Sequence, residues 1–93
     1  LSGRAKAGEV IKLALAGKFN EARVMLLELT QVYGMSEKDF LKYVAQEVFS
    51  MKLSDPGKFA EIMAEYDYRL SIGAHADIQL TAFLAQVSIL GQK

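Results

Sequence analysis

Apolar residues along the chain recur at three- and four-residue spacings rather than at every second position, so the sequence reads as successive helices with almost nothing that reads as strand. Glycine, proline and capping residues divide the pattern into about five segments. The first predicted helix runs from about Arg4 to Ala16 and ends at Gly17, a residue able to take the left-handed conformation that closes a helix. The second runs from about Asn20, a candidate cap, to Tyr33, with Gly34 behind it. Ser36 with Asp39 three residues on resembles a capping box and opens a third helix reaching about Met51. In Ser54-Asp55-Pro56 the single proline falls at the first position of a fourth helix, where its missing N–H costs nothing, and Gly73 ends that helix. The fifth fills roughly Ala76 to Leu90. Connections of a few residues predict antiparallel neighbours and an all-α fold, a single compact bundle of about five antiparallel helices over residues 1–93.

Projection of each segment at 100° per residue separates the expected core from the apolar residues it leaves over. Helix two carries a stripe of Ala22, Met25, Leu26, Leu29, Val32 and Tyr33, with Val24 and Leu27 on the opposite side among Glu28 and Gln31. Helix three has one apolar face, Phe40, Leu41, Val44, Val48 and Met51, opposite Lys38, Asp39, Lys42 and Gln46. Helix four turns Phe59, Ile62, Met63, Tyr66 and Leu70 inward and leaves Tyr68 and Ile72 near Glu61 and Glu65. Helix five is apolar on two sides. Its larger stripe is Ala76, Leu80, Phe83, Leu84, Val87 and Leu90, and its smaller one is Ile78, Ala82, Ala85 and Ile89. Gln79 and Gln86 line one polar seam between them, Thr81 and Ser88 the other. Such a helix is either central in its own bundle or sandwiched between the bundle and another subunit or domain. The leftover Val24, Leu27, Tyr68 and Ile72 tilt the balance towards contact.

Composition narrows the function classes. With 52% apolar and 24% charged residues, the chain can bury enough surface to fold. The absence of cysteine excludes disulfides, iron–sulfur clusters and thiolate zinc sites, and suits a reducing compartment. Eleven basic against eleven acidic side chains give no net charge, so the clustered cations of a protein that grips nucleic acid by itself are missing. The uncharged stretch from Ile78 to Gln92 is too short to span a bilayer, and no secretion signal is visible. Leu1-Ser2-Gly3 in place of an initiating methionine points to a domain excised from a longer protein.

No catalytic, cofactor-binding or metal site is expected. His75 has Asp77 as its nearest carboxylate but no helical His or Glu companion, so it reads as a capping or solvent-exposed residue. Asp67 and Arg69 around Tyr68 read as a structural ion pair, and Glu65 and Arg69 as a favourable i,i+4 pair. The four methionines read as packing. Gly17-Lys18 is followed by Phe19, and Lys12 stands five residues before Gly17, so the phosphate-binding loop pattern fails. Arg4, Arg23 and Arg69 lie on different predicted helices, which disfavours a small enzyme that works by converging cations.

Two stretches carry a family resemblance. Glu65-Tyr66-Asp67-Tyr68-Arg69-Leu70, Gly73, Ile78-Gln79-Leu80 and Phe83-Leu84-Ala85-Gln86 resemble the carboxy-terminal region of replication factor C small subunits, most closely the archaeal ones. Leu15-Ala16-Gly17-Lys18-Phe19-Asn20-Glu21-Ala22-Arg23 and Val32-Tyr33-Gly34-Met35-Ser36 resemble the same proteins in matching order. Ser71-Ile72, His75 and Thr81 depart from the usual pattern at surface positions. The resemblance implies the collar domain of a clamp loader, which joins subunits into a ring. ATP, magnesium, the sliding clamp and primer-template DNA would then be handled by upstream AAA+ ATPase domains outside these residues. Implied partners of this part are further copies of the subunit and the clamp-loader large subunit, in the cytoplasm and with no membrane. Ring packing calls for two different complementary surfaces. One is expected at Ile78, Ala82, Ala85 and Ile89, the other at Val24, Leu27, Tyr68 and Ile72. The alternative is a free-standing helical adaptor that binds a partner helix through the second face of helix five.

Overall fold

A computed structural model describes residues 3–92. Its order is α1 (Gly3–Leu15), α2 (Phe19–Leu27) running on into a π-helical turn (Glu28–Val32), α3 (Glu37–Val48), α4 (Pro56–Ser71) and α5 (Ala76–Gly91), with no strand among the described residues.

Local chemistry sets most of the boundaries. The Gly17 N–H donates to the Ala14 carbonyl and the Lys18 N–H to the Leu13 carbonyl, while Gly17 takes a φ of 81°. These paired bonds form a Schellman cap, which needs a left-handed residue at its centre. The end of α4 repeats the device: the Gly73 N–H donates to Leu70, the Ala74 N–H to Arg69, and Gly73 has a φ of 87°. Ser36 Oγ accepts from the Asp39 N–H, and Asp55 Oδ1 accepts from the Lys58 N–H behind Pro56. Each acceptor satisfies a donor that the first helical turn would leave unpaired.

Three details differ from the sequence reading. α2 starts at Phe19 with Lys18 at the capping position, so Asn20 lies inside the helix and not at its cap. α3 ends at Val48, and Met51 packs half-buried against the core from the following loop. The π-helical turn makes the third difference. The Tyr33 N–H reaches back five residues to the Glu28 carbonyl, and Thr30 Oγ1 donates to the carbonyls of Leu26 and Leu27. A wider turn advances each residue through less than 100°, so Val32 and Tyr33 swing off the buried stripe to 73% and 60% exposure. Lys6 Nζ sits 4.0 Å from the centre of the exposed Tyr33 ring.

The core runs between α1 and α5, both of which pack against several other helices. α1 contributes Ala7, Gly8, Val10, Ile11 and Ala14, small or β-branched residues that allow close approach. α5 contributes Leu80, Phe83, Leu84, Val87 and Leu90. Phe83 makes edge-to-face contacts with Phe59, ring centres 6.3 Å apart, and with Tyr66, 5.7 Å apart, locking α4 onto α5. α2 packs on α1 and α5, and α3 and α4 pack beside each other on the other flank.

The ends of α1 and α5 approach closely at Gly91, where a Cβ would stand 2.1 Å from the Leu15 carbonyl oxygen. Gly91→Ala should therefore destabilise the bundle by about 1–3 kcal/mol, as overpacking against backbone does. At Gly57 a Cβ would meet only Asp55 Oδ1 at 3.8 Å. Gly57→Ala should raise stability by about 0.5–1 kcal/mol, since it restricts the unfolded chain at no steric cost. Urea denaturation of both variants checks the pair.

Candidate assembly surfaces

The two seams of α5 have different fates. On one, Gln79 Oε1 accepts from Arg69 at 3.4 Å and Gln86 Nε2 donates to the Tyr66 hydroxyl at 3.2 Å, so both glutamines tie α5 to α4. Arg69 also donates to Glu65 at 3.3 Å and lies 5.0 Å from the Tyr66 ring centre. On the other seam, Thr81 donates back to the Asp77 carbonyl, and the buried Ser88 hydroxyl has no hydrogen-bond partner among the described residues.

The smaller apolar stripe lies at the surface. Ile78 and Ile89 are each 61% exposed, while Ala82 and Ala85 between them are half-buried. Of the other sequence candidates, Val24, Tyr68 and Ile72 are exposed and Leu27 is half-buried. Val24 lines a groove between α1 and α2 with Leu13, Met25, Glu21 and Glu28. Tyr68 and Ile72 stand four apart on the last turn of α4 and at its end. The structure thus spreads these residues over α2, α4 and α5, with α2 on a different flank from α4.

Sequence projection missed a further surface. Phe49 is 62% exposed and, with Ala45, Lys42 and Lys38, continues a second stripe along α3. The i, i+4, i+7, i+11 spacing was visible in the sequence, but a stripe holding two lysines reads as a solvated face. Opposite it, α4 presents Ala60, Met63, Ala64 and Asp67. Between the two helices runs an open groove of about 390 Å³, with Leu41 in its lining.

Residues considered for chemistry are dispersed. His75 is exposed and occupies the capping position of α5, without a side-chain capping bond. Arg69 pairs with Glu65, and no Asp67–Arg69 ion pair forms among the described residues. Arg4 pairs with Glu47 from α3 and donates to the Gln46 carbonyl, and so shares no partner with Arg69. The Gly17 and Lys18 N–H groups are spent on the end of α1, so this turn does not fit a phosphate. No group of three or more metal-ligating side chains occurs among the described residues, and no helix there is long and apolar enough to cross a membrane.

The chain is thus an all-helical domain, with no strand among the described residues. The model of the replication factor C C-terminal domain matches residues 5–86, and the chain belongs to that family. It is 45% identical over 89 residues to the replication factor C small subunit of Staphylothermus marinus, a match covering 91% of this chain and 27% of that protein. The replication factor C small subunit of Archaeoglobus fulgidus is 42% identical over 87 residues, covering 91% of this chain and 27% of that protein. That of Sulfolobus acidocaldarius is 38% identical over 89 residues, with the same two shares, 91% and 27%. The chain thus spans about a quarter of the length of these curated relatives.

The seam contacts yield two measurable expectations. A double-mutant cycle of Tyr66→Phe and Gln86→Ala should show a coupling of about 0.5–1 kcal/mol in chemical denaturation. Ser88→Ala should leave stability unchanged or raise it by up to about 1 kcal/mol, because it removes a buried hydroxyl that has no partner.

Proposed function

We propose that this chain is the assembly domain, or collar, of a clamp-loader small subunit, and that its work is to hold copies of the subunit side by side in a ring. The reading makes residues 1–93 one domain of a longer protein. Nucleotide hydrolysis with ATP and magnesium, opening of the sliding clamp and contact with primer-template DNA fall to AAA+ domains outside it. Its own partners are other copies of the subunit and the clamp-loader large subunit, in the cytoplasm.

The observation that carries the reading is the second apolar side of α5. A helix that supplies Leu80, Phe83, Leu84, Val87 and Leu90 to the core also leaves Ile78 and Ile89 more than half exposed, about 16 Å apart along one face. Val24 on α2 and Tyr68 and Ile72 on α4 add apolar surface elsewhere on the molecule. Exposed apolar residues on separate flanks suit a subunit that meets a neighbour on either side. Family membership supports the same reading, since the relatives carry the name of a replication factor subunit.

Sedimentation equilibrium over a range of concentrations tests it. The chain should self-associate reversibly, and Ile78→Glu should weaken association at least about tenfold, or ~1.4 kcal/mol. The melting temperature of the variant should stay within a few degrees of the parent, because the replaced side chain is 61% exposed. A chain that stays monomeric throughout would favour a helical adaptor for a different partner.

A further inference from the structure

Two grooves on the surface differ in the charged residues that line them. The groove beside α2 is lined by two charged residues, Glu21 and Glu28, which bracket the exposed Val24. The groove between α3 and α4 is lined by Lys38 and Lys42 together with Asp67, around an apolar lining that includes Leu41, Phe49 and Met63. None of Glu21, Glu28, Lys38 and Lys42 makes an ion pair among the described residues, where the three pairs are Arg4–Glu47, Lys58–Glu61 and Arg69–Glu65. All four side chains belong to exposed residues. They offer strong hydrogen-bonding groups that the fold itself does not use.

We propose that α2 of one copy seats in the α3–α4 groove of the next, with Val24 entering the apolar lining and Glu21 and Glu28 facing Lys38 and Lys42. The inference rests on the assembly reading above and adds, beside the α5 stripe, a second pair of surfaces that meet. Three features of the fold support it. First, Ala45 on α3 and Ala60 and Ala64 on α4 keep the walls of the groove low, so a third helix can approach closely. Second, the two glutamates stand seven residues apart, about 10 Å along α2, and the two lysines four apart, about 6 Å along α3. The flexible four-carbon stems of the lysines can span the difference. Third, α2 and the α3–α4 pair lie on different flanks, with α1 and α5 packed between them. Each copy can therefore use both surfaces at once, the head-to-tail arrangement that builds a ring or a filament rather than a closed pair.

The smaller stripe of α5 is the poorer seat for α2. The only charged residue in α5 is Asp77, which would repel Glu21 and Glu28 rather than pair with them.

Charge reversal tests the pairing in the intact 93-residue chain. At about 50 mM salt, where screening is weak, K38E/K42E and E21K/E28K should each weaken self-association by about tenfold or more in sedimentation equilibrium. The four changes together should restore it to within about threefold of the parent, because the complementary signs return. Circular dichroism melts should be the same for all three variants, which separates lost association from lost folding.

The cysteine-free sequence allows a second readout that does not depend on electrostatics. A chain carrying both Val24→Cys and Ala64→Cys should give a ladder of covalent multimers beyond the dimer on mild oxidation, and each single variant no ladder. If charge reversal leaves association intact and the double-cysteine chain stops at dimers while Ile78→Glu still dissociates the parent, the pairing is wrong and the assembly reading stands. A parent chain that remains monomeric, together with a double-cysteine chain that gives no ladder, overturns both.

Discussion

The bundle depends on how closely α1 and α5 lie together. At Gly91 the backbone of Leu15 is near enough to exclude even a methyl group, and further in α1 presents alanine, glycine and valine to its neighbours. Helices that touch through small residues bring their larger side chains into dense contact on either side. Around this pair the aromatic contacts of Phe83 with Phe59 and Tyr66 attach α4, while Ala22, Leu26 and Leu29 attach α2 and its π-helical turn. Arg4 and Glu47 bridge the surface of α1 and α3, but an ion pair this exposed adds little to stability.

A chain of this length has too few helices to enclose two central ones completely. α1 is covered by α2, α3 and α5, whereas α5 keeps an open side on which Ile78 and Ile89 stand out. The apolar surplus is therefore a consequence of architecture as much as of composition. Small domains with high apolar content must either pack that surplus internally or present it to a neighbour. The glutamine seam bears on which of the two occurs. Gln79 and Gln86 spend their amides on α4, which fixes the rotation of α5 and commits the smaller stripe to the outside.

The same division organises the charges. Arg69 is held by Glu65, Gln79 and the Tyr66 ring, and so belongs to the structure of the α4–α5 pair. Glu21, Glu28, Lys38 and Lys42, which form no ion pair among the described residues, line grooves. In a chain with eleven side chains of each sign, what matters for association is where the unpaired ones are, and not their sum.

Caps and periodicity were enough to read α1, α3, α4 and α5 from the sequence, because Gly17, Ser36, Asp55-Pro56 and Gly73 each act within a few residues of themselves. The exposed positions Val24, Tyr68, Ile72, Ile78 and Ile89 were legible too, since each departs from a stripe that a regular helix defines. Regularity was also the limit. The π-helical turn after Leu27 breaks the 100° step, and with it the expected burial of Val32 and Tyr33. No local signal announced that Gly91 would face the Leu15 carbonyl, or that Phe49 and two lysines would border a groove with Ala60 and Ala64. Those features bring together residues from different helices, so they exist only once the helices have chosen their neighbours. By itself the sequence determined where the helices lie, most of how they end and, outside the π-helical turn, most of the residues they bury. Tertiary packing decided which faces remained uncovered, because the available sides of α1 and α5 could not all be filled from within one small chain.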